Sequence, residues 1–160
     1  VDELSRAFEK DLAEIRRMAS IMGRDTGEIE ALPIVFSEVD KDGEAAQNRI
    51  LNRTKVCLAL RKRLMEQLGL TNLAKKDLWN NPLGAKDIGE IYTIARQIPD
   101  ETAMKACAAG TPDDVMSMIE KFERAGATAL IMEPPIERLT ATIKAYGRWI
   151  IPYFRNKERS

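Results

Sequence analysis

The chain contains no histidine at all. That absence removes the commonest general base near neutral pH and the commonest metal ligand. Ser-His-Asp and Cys-His hydrolase schemes, HExxH metalloproteases and most zinc sites are thereby excluded within these residues. Cysteine is scarce too: Cys57 and Cys107 stand alone, without metal-ligand spacing, which predicts buried thiols, a reducing compartment and a cytoplasmic protein with no metal. There is no net charge, because 25 basic and 25 acidic residues cancel. No global field therefore draws the chain to nucleic acid or to an anionic membrane. No apolar run approaches the roughly 20 residues that span a bilayer, and no signal-peptide pattern opens the chain.

What is present reads as one α/β domain over residues 1–160. Leu4, Phe8, Leu12, Ile15, Ala19 and Met22 recur at helical spacing, and Gly23 closes that helix. Ile29–Val39 then reads as a covered strand centred on Leu32–Phe36, with Pro33 marking an edge or the strand's start. A long helix is predicted from about Glu44 to Leu68. Its basic cluster, Arg61-Lys62-Arg63, has no interleaved aromatics and no second basic run, so it reads as a solvated face.

Residues 70–109 are the irregular part: a turn-rich Leu78–Gly84, a short helix at Ile88–Arg96, and a second helix at Asp100–Ala109 after Pro99. Order returns at Gly110. Thr111 is an N-cap, Pro112 suits the first helical position, and Asp113 and Asp114 place negative charge at the positive end of the helix dipole. Val115, Met118, Ile119 and Phe122 share one face, Gly126 stops the helix, and the strand Thr128–Met132 follows. After Glu133-Pro134-Pro135, a last helix carries Ile136, Leu139, Ile143, Tyr146 and Trp149, stopping near Pro152. Helices between the two strands argue for parallel pairing through right-handed crossovers. Two strands make a poor sheet by themselves, so the sequence looks like part of a larger α/β architecture.

Several of these segments resemble luciferase-like flavin and deazaflavin oxidoreductases. Ile15-Arg16-Arg17-Met18-Ala19, with Met22-Gly23-Arg24-Asp25 and Glu28-Ile29, is one; Gly110–Val115 with Ala125-Gly126-Ala127 is another. Asn81-Pro82-Leu83-Gly84 and Ile150–Phe154 are similar to segments of the deazaflavin branch, which includes methylenetetrahydromethanopterin reductases. The resemblance implies the carboxyl-terminal part of a (β/α)8 TIM-type barrel. Ile34–Val39 and Thr128–Met132 would be its last two strands, with a helical insertion at about 70–109 between them. The earlier strands, where the family places most of its ring-binding and catalytic residues, have no counterpart here. The expectation is therefore an incomplete barrel starting at Val1, inactive in isolation, that pairs with a complementary barrel chain or forms a homo-oligomer.

The implied cofactor is coenzyme F-420, serving hydride transfer to or from a small-molecule substrate such as a methylene-tetrahydropterin. An FMN-dependent luciferase-like monooxygenase is the alternative, and a noncatalytic barrel fragment or a helical interaction protein are readings of another class. Family members of the deazaflavin type hold the cofactor phosphate with a basic residue just upstream of the Gly-Thr-Pro turn. Lys105 stands in that place, and Lys86 is a second candidate. The plainer reading of each, and more so of Lys86, is an ordinary exposed lysine. No catalytic residue is singled out.

Overall fold

The computed structural model describes residues 3–75 and 85–157, with side chains described at 4–75 and 88–157. The order begins α1 (Glu3–Ile21), β1 (Ile34–Val39), α2 (Gly43–Leu60), α3 (Lys62–Gln67), α4 (Ala85–Gln97), α5 (Asp100–Met104) and β2 (Cys107–Gly110). It ends α6 (Pro112–Arg124), β3 (Ile131–Glu133), α7 (Leu139–Ala145), a π-helical turn at Tyr146–Ile150, and α8 (Ile151–Lys157).

The strands form one parallel sheet in the order β2-β1-β3. Phe36 to Val39 of β1 align with Cys107 to Gly110, and Ile34 to Phe36 with Ile131 to Glu133. The expected parallel pairing of the Ile34 and Ile131 runs is therefore present. The helices read at 2–22, 44–68 and 136–151, expected to pack on one side of the sheet, do not share a face. The chain moves from β1 to β2 in one direction, then back past β1 to β3. Right-handed crossovers must then put α2 and α6 on opposite faces. Phe36 and Cys107 pack against Ile50 of α2. Val35, Val39 and Ala108 face Val115 and Phe122 of α6, with Phe8 of α1 and Ile150. Helices thus cover both faces rather than one.

Three local readings also change, and one open alternative is settled. The residues read as a helix over 100–109 split into α5 and the buried strand β2, a run of Cys and Ala that lacks the branched side chains from which strands are recognised. The helix expected to run to Leu68 breaks at Arg61. Pro33 precedes β1, so it marks the strand's start. Pro152 does not stop the last helix, because the π turn just before it relaxes the hydrogen-bond ladder that proline's missing N–H would interrupt.

Candidate functional site

In open α/β sheets and in barrels, ligands lie at the carboxyl ends of the strands. At that edge the Asp40 N–H donates to the Gly110 carbonyl at 3.1 Å, tying the ends of β1 and β2 together. Two helices start side by side here. A Cβ on Gly43 would sit 2.9 Å from Thr111 Cγ2 and 3.0 Å from the Thr111 nitrogen. Each helix start is closed by a carboxylate of its own sequence. Asp42 Oδ1 accepts from Ala45 N at 3.0 Å. Asp114 Oδ2 accepts from Thr111 N at 2.9 Å and from the Thr111 hydroxyl at 2.7 Å. The Gly110-Thr111-Pro112 turn is therefore a capped structural helix start, as the sequence suggested, and its carboxylates would repel an anion.

Beside it lies an ionic network that sequence reasoning missed. Glu38 is fully buried. Its Oε1 accepts from Arg49 Nε and Arg138 Nε, each at 3.0 Å, and its Oε2 accepts from the Thr142 hydroxyl at 3.0 Å. Arg49 Nη2 also donates to Asp40 Oδ2 at 2.6 Å, with Arg138 Nη2 3.8 Å away. The Asp42 backbone N–H, and then Arg49, hold the Asp40 carboxyl below its usual range. The network joins β1, α2 and α7 where β3 has already ended. A signal was available: one acidic residue inside the run Ile34–Val39 must be paired if that run is buried.

On the opposite face of β1, the Ser37 hydroxyl donates to the Ala108 carbonyl at 2.9 Å and lies 2.6 Å from the Tyr146 hydroxyl. Serine has one proton to give, so Tyr146 donates to Ser37. Burial pushes the Tyr146 phenol up to about 12 against the lowering effect of the Ser37 contact. The carboxyl edge is thus a set of polar groups bonded to one another, and both cysteines lie elsewhere. Burial raises Cys57 and lifts Cys107 to about 12, so neither is an activated nucleophile.

The structure places Lys105 at the other edge. It is exposed and stands two residues before β2, which alone separates it from Gly110 by about 10 Å of strand rise. It is not brought to the Glu38 network. Instead it lines a groove of about 200 Å³ between the amino ends of β1 and β2 and helices α1 and α3. Leu4, Phe8, Val35, Leu64 and Phe122 form its apolar walls, and Arg61 and Gln67 add polar groups. The side chain of Lys86, and the Trp79 and Asn81–Gly84 segments, lie outside the described residues. Among the described residues no cluster of potential metal ligands occurs. No described helix is long and apolar enough to cross a membrane.

A parallel sheet with right-handed helical crossovers defines the class, and comparison with known proteins narrows it. No protein-family model matches the chain. It is 26% identical over 155 residues to the 5,10-methylenetetrahydromethanopterin reductase of Methanopyrus kandleri, a match covering 92% of this chain and 42% of that protein. The solved coenzyme F-420-dependent tetrahydromethanopterin reductase from the same organism is similar in fold, with a TM-score of 0.70 at 21% identity. That match covers 94% of this chain and 43% of the other. An F-420-dependent secondary alcohol dehydrogenase has a TM-score of 0.57 at 17% identity, covering 82% of this chain and 34% of its own. Riboflavin lyase, solved with a modified FMN, has a TM-score of 0.56 at 15% identity, over 96% and 37%. These relatives are the luciferase-like F-420- and FMN-dependent oxidoreductases, and in particular the reductase branch, to which the sequence motifs point. The chain spans less than half the length of the relatives it matches.

Proposed function

We propose that the chain is part of an oxidoreductase transferring a hydride between coenzyme F-420 and a small organic substrate, a methylene-tetrahydropterin being the first candidate. One observation carries the reading: sequence and fold each match the same enzyme of one organism over more than nine-tenths of this chain. A deazaflavin supplies the hydride chemistry when bound, and the protein's part is to hold and orient it. The groove beside Lys105 is too small to be its cradle, falling short of the roughly 300–1,000 Å³ typical of ligand pockets. The polar groups of the carboxyl edge are engaged with one another. No catalytic step is therefore assigned to a residue of this chain.

Further strands added to the sheet would account for this incompleteness, although the order β2-β1-β3 and the helices on both faces differ from an arc of a (β/α)8 barrel, in which consecutive strands are neighbours and helices lie outside only. The β3 side supports it, because Ile34, Ile131, Ile136 and Ile143 are 52, 47, 81 and 61% exposed along or near that edge. A complementary barrel chain or a second copy would cover them, and isolated inactivity would follow.

Absorbance titration of the purified protein with F-420 and with FMN tests the proposal. Saturable binding of F-420, with oxidation of its reduced form when methylene-tetrahydromethanopterin is added to the completed barrel, is the expected result. Saturation by FMN alone transfers the chain to the monooxygenase reading. Binding of neither by the completed barrel leaves the noncatalytic reading and overturns the proposal. Lys105→Ala and Lys86→Ala form a second arm. A loss confined to F-420 carrying its phosphate tail supports the phosphate contact implied by the resemblance; its position at the amino edge speaks against Lys105.

A further inference from the structure

We propose that the chain self-associates through α1, the bare stripe along the second half of that helix packing against its counterpart in a second copy about a two-fold axis. The inference does not rest on the cofactor reading. Along one flank of α1, Leu4, Asp11, Ile15, Met18 and Met22 follow one another at helical spacing. Helix α3 covers the start of that flank: Leu4 and Leu64 pack against one apolar cluster, and Asp11 is held by Arg63 in an ion pair. Beyond Asp11 the cover ends. Ile15, Met18 and Met22 are 55, 47 and 75% exposed, and Ile21, one turn from Met18, is 67% exposed. This is not a fraying helix end. Leu12 and Ala19 of the same turns are buried, and the Met22 N–H still donates to the Met18 carbonyl at 3.1 Å. A Cβ on Gly126, after α6, would lie 3.1 Å from Leu12 and 3.7 Å from Arg16, so the base of the stripe is fixed against the core.

Size and charge choose the occupant. The four side chains leave on the order of 500 Å² exposed per copy, so a pair buries about 1,000 Å², the lower bound for a specific interface. A two-fold contact uses one patch twice. Ile15 of each copy then meets Met18 of the other, and the unbranched methionines adapt to the fit. The charges beside the stripe within α1 do not oppose this. Asp11 has Arg63, and the Glu14 carboxylate accepts from Arg17 Nε at 2.8 Å and Nη2 at 2.7 Å, so a neutral border meets a neutral border. The bare stripe Ile136, Leu139 and Ile143 has no such balance. Among the exposed residues of 136–151, Lys144 and Arg148 stand against one acid, Glu137, and two copies joined there would set like charges together.

Sedimentation equilibrium of the chain without cofactor, from about 1 to 500 μM, reads the association. The expected result is a monomer–dimer equilibrium with a dissociation constant on the order of 10 μM. Met18→Glu and Met18→Lys should each weaken it at least about tenfold. Neither should move the urea midpoint at low concentration, since the site is exposed. Mixed in equal amounts, the two variants should associate again, because the two-fold brings position 18 of one copy beside position 18 of the other with opposite sign. Ile143→Glu should leave the equilibrium unaltered. A monomer throughout, no response to either Met18 variant, or no recovery on mixing would overturn the proposal. So would dissociation by Ile143→Glu, which places the copy on the β3 side, and growth beyond a dimer, which means a contact that does not close. A monomer that sediments with phosphatidylcholine–phosphatidylglycerol vesicles would give the stripe to a lipid surface instead, and the proposal would fall. Failure of F-420 binding leaves every one of these outcomes untouched, so the two readings fail separately.

Discussion

Replacing Glu38 by glutamine tests whether the buried network holds the carboxyl-terminal helices to the sheet. The substitution preserves shape but removes the negative charge on which Arg49, Arg138 and Thr142 converge. Breaking one side of a fully buried ion pair costs about 3–5 kcal/mol. Here the acid is at 0% exposure, whereas the side chains of Arg49 and Arg138 are 31% and 34% exposed. Both guanidinium groups can recover part of their hydration, and Arg49 keeps Asp40. That recovery brings the cost below this range, to about 2–3 kcal/mol. The glutamine amide adds a second fault, because its NH₂ faces either a guanidinium or Thr142, whose hydroxyl must then turn to accept and loses its own acceptor.

Urea unfolding reads this directly. With a slope of about 2 kcal/mol per molar, the midpoint should fall by roughly 1–1.5 M with the slope unchanged. A cycle with Arg138→Met should show coupling of at least about 1 kcal/mol, since the two side chains are in contact across strand and helix. A midpoint shift below about 0.25 M, or additive single-mutant effects, would refute the reasoning. It would mean that hydration of the arginines replaces the carboxylate at no cost.

How much of this could be read in the sequence depends on which forces act locally. Both strands with branched residues, Ile34–Val39 and the one containing Ile131, were legible because such runs have no other good place in a folded chain. The Thr111–Asp114 helix start was legible because capping is decided within four residues. β2 was not. Cys107-Ala108-Ala109-Gly110 carries no strand propensity, and its place beside β1 comes from small side chains that let α2 and α6 approach both faces. The sheet order was hidden for the same reason, since without β2 no change of direction can be seen. At the site, Lys105 comes from the family resemblance, which places a basic residue just upstream of the Gly-Thr-Pro turn. Distance along the chain does not say which end of a strand a residue occupies, and an intervening strand carries it to the far edge. The Glu38 network needed three segments 11, 100 and 104 residues apart in sequence to be brought together. No local pattern encodes that, although the charged residue in an apolar strand announced that some partner was required.

Two further perturbations test other parts of this account. Gly110→Ala should lower stability by more than about 2 kcal/mol, because its φ is +146° and the added Cβ would lie 2.6 Å from Asp114 Oδ2; a loss under about 0.5 kcal/mol by urea unfolding would show that the turn relaxes freely. The second concerns alkali. Burial holds the native Tyr146 and Cys107 protonated up to about 12, against ordinary values of 10.0 and 9.0. Above those ordinary values the unfolded chain loses protons that the folded chain keeps, so stability is fully present below about pH 9 and falls as pH rises toward 12. The shifts correspond to about 3 kcal/mol for Tyr146 and about 4 kcal/mol for Cys107. Tyr146→Phe removes the phenol's share of that slope while also stripping Ser37 of its donor. It should therefore start less stable at neutral pH yet decline less between pH 10 and 12 than the parent, and parallel decline of the two proteins would show that Tyr146 is not the buried titrating group.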